Sequence, residues 1–345
     1  MEAKVLIHLV PAAMVALLPV LVFLAALLAF DSYKLLSIRT VIGTIAIGIV
    51  AAAASLPISG YLIGKLDIPL SAFSRYVSPM TEELLKALVI VTLIRMHRIG
   101  FLVDAAIFGF AVGSGFAVAE NLYFLHLAKD AGMGTWIVRG FGTALMHGGT
   151  TAIFAVMALA RVERSNGTRV MSFVPGWALA ALLHSGFNHL GHLPQLATLS
   201  TLLTLPPLLW LVFQRSESAL RDWLGQGFDA DATMLELIGS GRFPDSPPGR
   251  YLASLKRGLH GALIADALCY LRLYTELSLR AKGVLMMREN GYAPRGVDDE
   301  TRAKFAELRY LEQSIGATGL SALRPLLGMR HKELWQLYML EAGSA

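Results

Sequence analysis

Four short stretches hold side chains able to do acid–base or metal chemistry. Glu82, Glu83 and Lys86 lie in SPMTEELLKALVI and Glu120 in GFAVAENLYF. His147 lies in GTALMHGGTTAIF, and His184 and Asn188 in ALAALLHSGFNHL. A glutamate can activate water, and an imidazole or an amide can donate to an oxyanion. Carboxylates and imidazoles together are also a zinc-type donor set. Each stretch has a plainer reading when taken alone. Glu82 and Lys86, four apart, suit an ion pair on a helix face. His147 suits a packing residue, and His184 with Asn188, also four apart, suits hydrogen bonding between helices.

The surroundings make these residues expensive. The chain of 345 residues is 55% hydrophobic and 16% charged, a balance that excludes an ordinary soluble protein and makes the bilayer its main solvent. About seven stretches reach the roughly 20 apolar residues needed to cross the hydrocarbon core. They run approximately over 5–30, 41–64, 77–95, 102–128, 137–160, 172–193 and 196–213. An ionisable group at that depth costs at least a few kcal/mol, so it asks for a partner or a task. Counted inward from the outer end of each helix, Glu83, Glu120, His147 and His184 all fall at a depth of about 9–15 Å. Alternate helices run in opposite directions, so unrelated polar residues would scatter in depth. A common layer predicts one polar cavity walled by the third to sixth helices. Gly109, Gly113 and Gly115 give the helix of Glu120 a small-residue face on which neighbouring backbones approach closely.

Charge sets the orientation. Residues 1–213 hold 13 Lys/Arg against 9 Asp/Glu, and residues 214–345 hold 17 against 16. The basic excess therefore belongs to membrane loops, not to a nucleic-acid footprint. Nine positive charges follow the first, third, fifth and seventh stretches, against five on the other side including Lys4, Lys129 and Arg139. That bias predicts an outside N-terminus and a cytoplasmic C-terminus. The first stretch is too long for a signal-peptide core and reads as a retained helix. Residues 214–345 alternate charged and apolar positions at helical spacing, with Pro- and Gly-rich breaks at 243–250 and 290–297, and read as a soluble helical domain. The fold expected is an all-α transmembrane bundle over 1–213 followed by this cytoplasmic domain. Cys269 is the only cysteine, so neither an intramolecular disulfide nor a cysteine-based zinc site can form.

With these motifs in order, the chain resembles the PrsW family of intramembrane peptidases, related to the CAAX prenyl endopeptidase and Abi superfamily. The likeness rests on Glu82-Glu83-x-x-Lys86, on 104–123 with Gly115-Phe116-x-x-x-Glu120-Asn121, on His147, and on His184-x-x-x-Asn188. It implies that the glutamate pair and His184 are essential for proteolysis of a membrane-anchored protein substrate. PrsW-like sequences often carry Asp where this chain has Asn188, and CAAX-type enzymes carry Asn.

Two mechanisms remain open at this stage. Either glutamate can be the base that activates water. The resemblance to CAAX-type enzymes favours a mechanism that requires no cofactor, with Glu82 as base, Glu83 as its partner, and His184 with Asn188, one turn apart on one face, supporting the oxyanion. Neighbours on a helix diverge by about 100°, so only one of the two glutamates is expected to face the water. In the other, zinc is held by a set drawn from Glu83, Glu120, His147 and His184, although no compact H-E-x-x-H signature is present. A proton- or ion-coupled transporter is the rival outside proteolysis, since buried acids and imidazoles also build ion pathways. The polar residues cluster in the third to sixth stretches without paired halves, which disfavours it.

Overall fold

The computed structural model describes residues 2–128, 130–165, 168–255, 261–292, 297–328 and 331–342, and side chains from residue 10 onward. Among these residues there are thirteen α-helices and no strand. They are α1 (Glu2–Phe30), α2 (Ile38–Leu66), α3 (Leu70–Ala72), α4 (Ser78–Arg95), α5 (Leu102–Leu127), α6 (Met133–Val138), α7 (Ala144–Ser165), α8 (Val174–His189) and α9 (Pro194–Gly239). Four more follow: α10 (Pro247–Ser254), α11 (Gly261–Glu289), α12 (Asp299–Leu327) and α13 (His331–Ala342). The chain divides into two compact units, Met1–Glu217 and Ser218–Ala345, and the division falls inside α9.

Among the described residues five helices are long and apolar enough to cross a membrane: Val10–Phe30, Ile38–Leu66, Leu102–Leu127, Met133–Ser165 and Pro194–Gly239. The chain is an integral membrane protein. The two remaining stretches expected to span correspond to α4 and α8, of 18 and 16 residues. Their apolar signal is weakened by the residues that make them interesting. Helix α4 carries Glu82, Glu83, Lys86 and Arg95, and α8 carries His184, Asn188 and His189. Their outer faces are nonetheless apolar and open, with Met80, Leu84, Leu88, Leu182 and Leu183 exposed, as a lipid-facing surface requires. The helical run into α4 starts earlier than hydropathy suggests: α3, a π-helical turn at Phe73–Val77 and α4 follow one another without a gap from Leu70 to Arg95.

Helix α5 is the centre of the first unit, apolar all round and buried over most of its length. Its glycines set how closely the neighbours approach. A methyl group on Gly113 would meet the carbonyl oxygen of His147 at 2.2 Å, and one on Gly109 would meet that of Thr151 at 2.6 Å. This face seats α5 against α7 backbone to backbone. Gly115 faces α2, where a methyl group would lie 2.0 Å from the carbonyl oxygen of Ile45. At the start of α5 the buried Asp104 accepts hydrogen bonds from the backbone N–H groups of Gly100 and Phe101, closing the helix N-terminus. An apolar cluster including Ile90 and Ile94 of α4, Phe108 and Val112 of α5, Phe154 and Leu159 of α7 and Ala180 of α8 then locks the four helices together.

The second unit is helical, as its charge pattern indicates. The break at 243–250 is a 3-10 turn at Phe243–Asp245, followed by Ser246 capping α10. At the second break α11 ends before Gly291, whose φ is +78°. Positions 293–296 of that break lie outside the described residues. Inside this unit the buried Lys282 pairs with Asp231 at 2.6 Å.

Candidate active site

Four helices bring the motif residues together, two of them through π-helical turns. Arg139–Thr143 is π-helical between α6 and α7, as Phe73–Val77 is ahead of α4. Such turns re-aim the side chains that follow them and are frequent at functional sites. The residues around the first of these turns close on α8 by polar contacts: Ser185 donates to the carbonyl of Arg75 at 2.5 Å, Asn188 to that of Ser74 at 2.8 Å, and Trp177 of α8 to that of Met80 at 3.3 Å.

The neighbouring glutamates have different surroundings. Glu83 is buried, and its Oε1 accepts from Lys86 Nζ at 2.6 Å, His184 Nδ1 at 2.9 Å and Thr150 Oγ1 at 3.1 Å. Glu82 instead lines a cavity of about 1180 Å³. Its Oε1 accepts from Ser78 and its Oε2 lies 4.0 Å from His184 Nε2. The same cavity is lined by Glu120, His147, His184 and Asn188. Its wall is wider than the sequence suggests, because α2 contributes Ser55 and Ser59.

The protons follow from these contacts. His184 Nδ1 faces a carboxylate, so it donates to Glu83, and Nε2 is left toward Glu82 and the cavity. Lys86 Nζ lies 3.0 Å from His147 Nδ1. An ammonium only donates, so Nδ1 accepts and Nε2 carries the hydrogen that faces Glu120 Oε2 at 2.9 Å. The two rings meet edge to face with centroids 4.8 Å apart. Lys86, with no exposed surface, also lies over the Phe116 ring at 4.8 Å.

One ligand atom each from Glu82, His147 and His184 lies within 4.8 Å of the others. This donor set, two imidazoles and one carboxylate, suits zinc in an open catalytic site. It differs from the set drawn from sequence. Glu82 stands where Glu83 was expected, while Glu83 holds His184 from behind. Glu120 is engaged with His147 and Arg139, at 2.9 and 3.4 Å. Asn188 lines the cavity, with its amide hydrogen on Ser74.

The family described as PrsW family intramembrane metalloprotease matches residues 32–212, more than half of the chain. The chain belongs to that family. As a PrsW-family member it is a peptide-bond hydrolase, acting in a lipid bilayer on a membrane substrate. A metal is consistent with both the family description and the Glu82–His147–His184 cluster. No curated protein matches the chain, and no solved structure does.

Residue types and spacing alone do not single out Thr150, which donates to Glu83, or the Asn121–Arg139 pair beside Glu120. By sequence Arg139 counts as an outer-loop charge. It lies six residues inside the helical run that starts at Met133, about 9 Å along it, which was the available signal.

Proposed function

We propose that the chain is a metal-dependent intramembrane endopeptidase that cuts a membrane-anchored protein on the outer side of the bilayer, with Glu82, His147 and His184 holding a divalent cation, most simply zinc. The observation that carries this reading is the convergence of those three side chains, from three helices, on one cavity. A zinc ion bound there supplies Lewis acidity and acidifies water. The protein's own groups do the rest. Glu83 fixes the tautomer and direction of His184, as a carboxylate behind a ligating imidazole does. Glu120, with a side chain 27% exposed and lining the cavity, is the carboxylate outside the ligand set that is placed to take a proton from water.

One observation favours a metal-free second reading, in which Glu82 is the base and His184 supports the oxyanion. With Lys86 on Nδ1, His147 presents N–H, not a lone pair, to the cavity. Ligation through Nε2 requires the other tautomer, with Lys86 turned wholly to Glu83. Purified protein in lipid vesicles, assayed on candidate single-span proteins, separates the readings. The metal reading expects cleavage to stop on chelation and to return with zinc. Full cleavage after chelation overturns it in favour of the second.

The outward placement of the site follows from charge. Removing Arg139 from the outer loops leaves four positive charges there against nine opposite, a stronger bias than before. A reporter fused after Phe213 is expected in the cytoplasm and one near Asp130 outside. The reverse result would place the reaction on the cytoplasmic side.

A further inference from the structure

Arg139 is a cation placed in the membrane part of the chain, and it is the only Lys or Arg among the described residues lining the cavity. A cation at that depth needs a reason. Its guanidinium is held on three sides. Nε donates to Asn121 Oδ1 at 2.9 Å, and Asn121 is in turn fixed by its own donation to the Ala16 carbonyl at 2.7 Å. The Phe124 ring lies under the guanidinium carbon at 3.8 Å. Nη2 lies 3.4 Å from Glu120 Oε1. The turn that aims it depends on Gly140, where a methyl group would meet the Val15 carbonyl oxygen at 2.0 Å.

Despite this support, Nη2 is buried and has no hydrogen-bond partner, its approach to Glu120 being an ion pair without hydrogen-bond geometry. A buried charged donor without an acceptor is unfavourable and asks for an explanation. Glu120 touches both, with Oε1 3.4 Å from Nη2 and Oε2 2.9 Å from His147 Nε2, so a chain lying on the Glu82–His147–His184 cluster meets Nη2 when the Glu120 carboxylate swings off it. The wall around it is otherwise mainly apolar. The group missing is an oxygen acceptor brought in by the ligand, and a peptide carries one at every residue.

We propose that Arg139 is a substrate-binding residue whose Nη2 donates to a backbone carbonyl oxygen of the peptide segment bound at the Glu82–His147–His184 cluster. This rests on the peptidase reading above. A membrane helix has its carbonyls bonded internally, so the fixed guanidinium favours a segment unwound beside the scissile bond and offers the freed carbonyl a charge-assisted bond. Lysine would not replace it, because a flexible point charge lacks the planar fork fixed by Asn121 and Phe124.

The test uses the full-length protein in vesicles and a synthetic single-span substrate in which one peptide bond at a time near the cut is replaced by an alkene, removing one carbonyl. In Arg139→Gln, kcat/KM on the unmodified substrate is expected to fall about 10- to 100-fold, as when one charge-assisted hydrogen bond is removed. Arg139→Lys should restore little of it. Binding of uncleaved substrate to Glu82→Gln protein should weaken when Arg139→Gln is added. At one alkene position the wild type should lose binding while Arg139→Gln loses nothing more. If every alkene affects both proteins equally, or Arg139→Lys restores full activity, Arg139 acts only on Glu120 and the proposal fails. Should Arg139→Gln fail to insert, Arg139→Lys with the alkene series decides alone. His184→Ala runs alongside. If it is inactive while Arg139→Gln cleaves normally, this inference is wrong and the peptidase reading stands. If both cleave normally, the peptidase reading itself is wrong.

Discussion

Glu82→Ala, His147→Ala and His184→Ala are each expected to abolish cleavage, with a loss of about 10²–10⁴-fold or more, the range for a group acting directly on the reaction. All three should still insert, because each lines a cavity where water can take the place of the lost side chain. Glu83→Ala should behave differently. Glu83 is buried and accepts from three donors, so its removal leaves the Lys86 charge unpaired and His184 Nδ1 without its acceptor, costing stability as well as activity. The comparison is made by cleavage rate and by protease protection of inserted protein. Near-normal cleavage in the three cavity variants would remove them from the mechanism.

Lys86→Met has the largest expected effect on stability. Lys86 and Glu83 form a fully buried pair at 2.6 Å, and removing one partner of such a pair strands the other charge at a cost of about 3–5 kcal/mol. The double variant Glu83→Gln with Lys86→Met should recover much of that stability, because the stranded charge is gone. It should not recover cleavage, since His184 loses the carboxylate that orients it. Thermal unfolding in detergent together with a cleavage assay reads both quantities. A Lys86→Met protein as stable as the parent would show that the pair is not held as the structure has it.

The site was legible in the sequence to the extent that membrane burial makes polarity conspicuous. Glu82, Glu83, Glu120, His147 and His184 stood out because lipid tolerates such groups poorly, and their shared depth pointed to one cavity. The division of labour inside the Glu82–Glu83 pair was less legible. Helical geometry says that neighbours diverge, but which one meets the cavity is decided by the packing of α4 on α7 and α8, and by Thr150 and Lys86 around Glu83. Arg139 was hidden for a related reason. Next to a predicted helix start an arginine reads as a loop charge, and only the early helix start at Met133 and the π-turn carry it inward. The sequence counts the stretches of α4 and α8 among its seven, whereas the charges of α4 and the 16-residue length of α8 keep both out of the five described helices that are long and apolar enough by themselves.

The most direct test of the central claim is a metal count on purified protein, made on the same samples whose cleavage rates are measured. One divalent ion per chain is expected in the wild type, with both the ion and the cleavage lost in His184→Ala and His147→Ala. Wild-type protein that cleaves its substrate at full rate while holding no metal would contradict the assignment of Glu82, His147 and His184 as ligands.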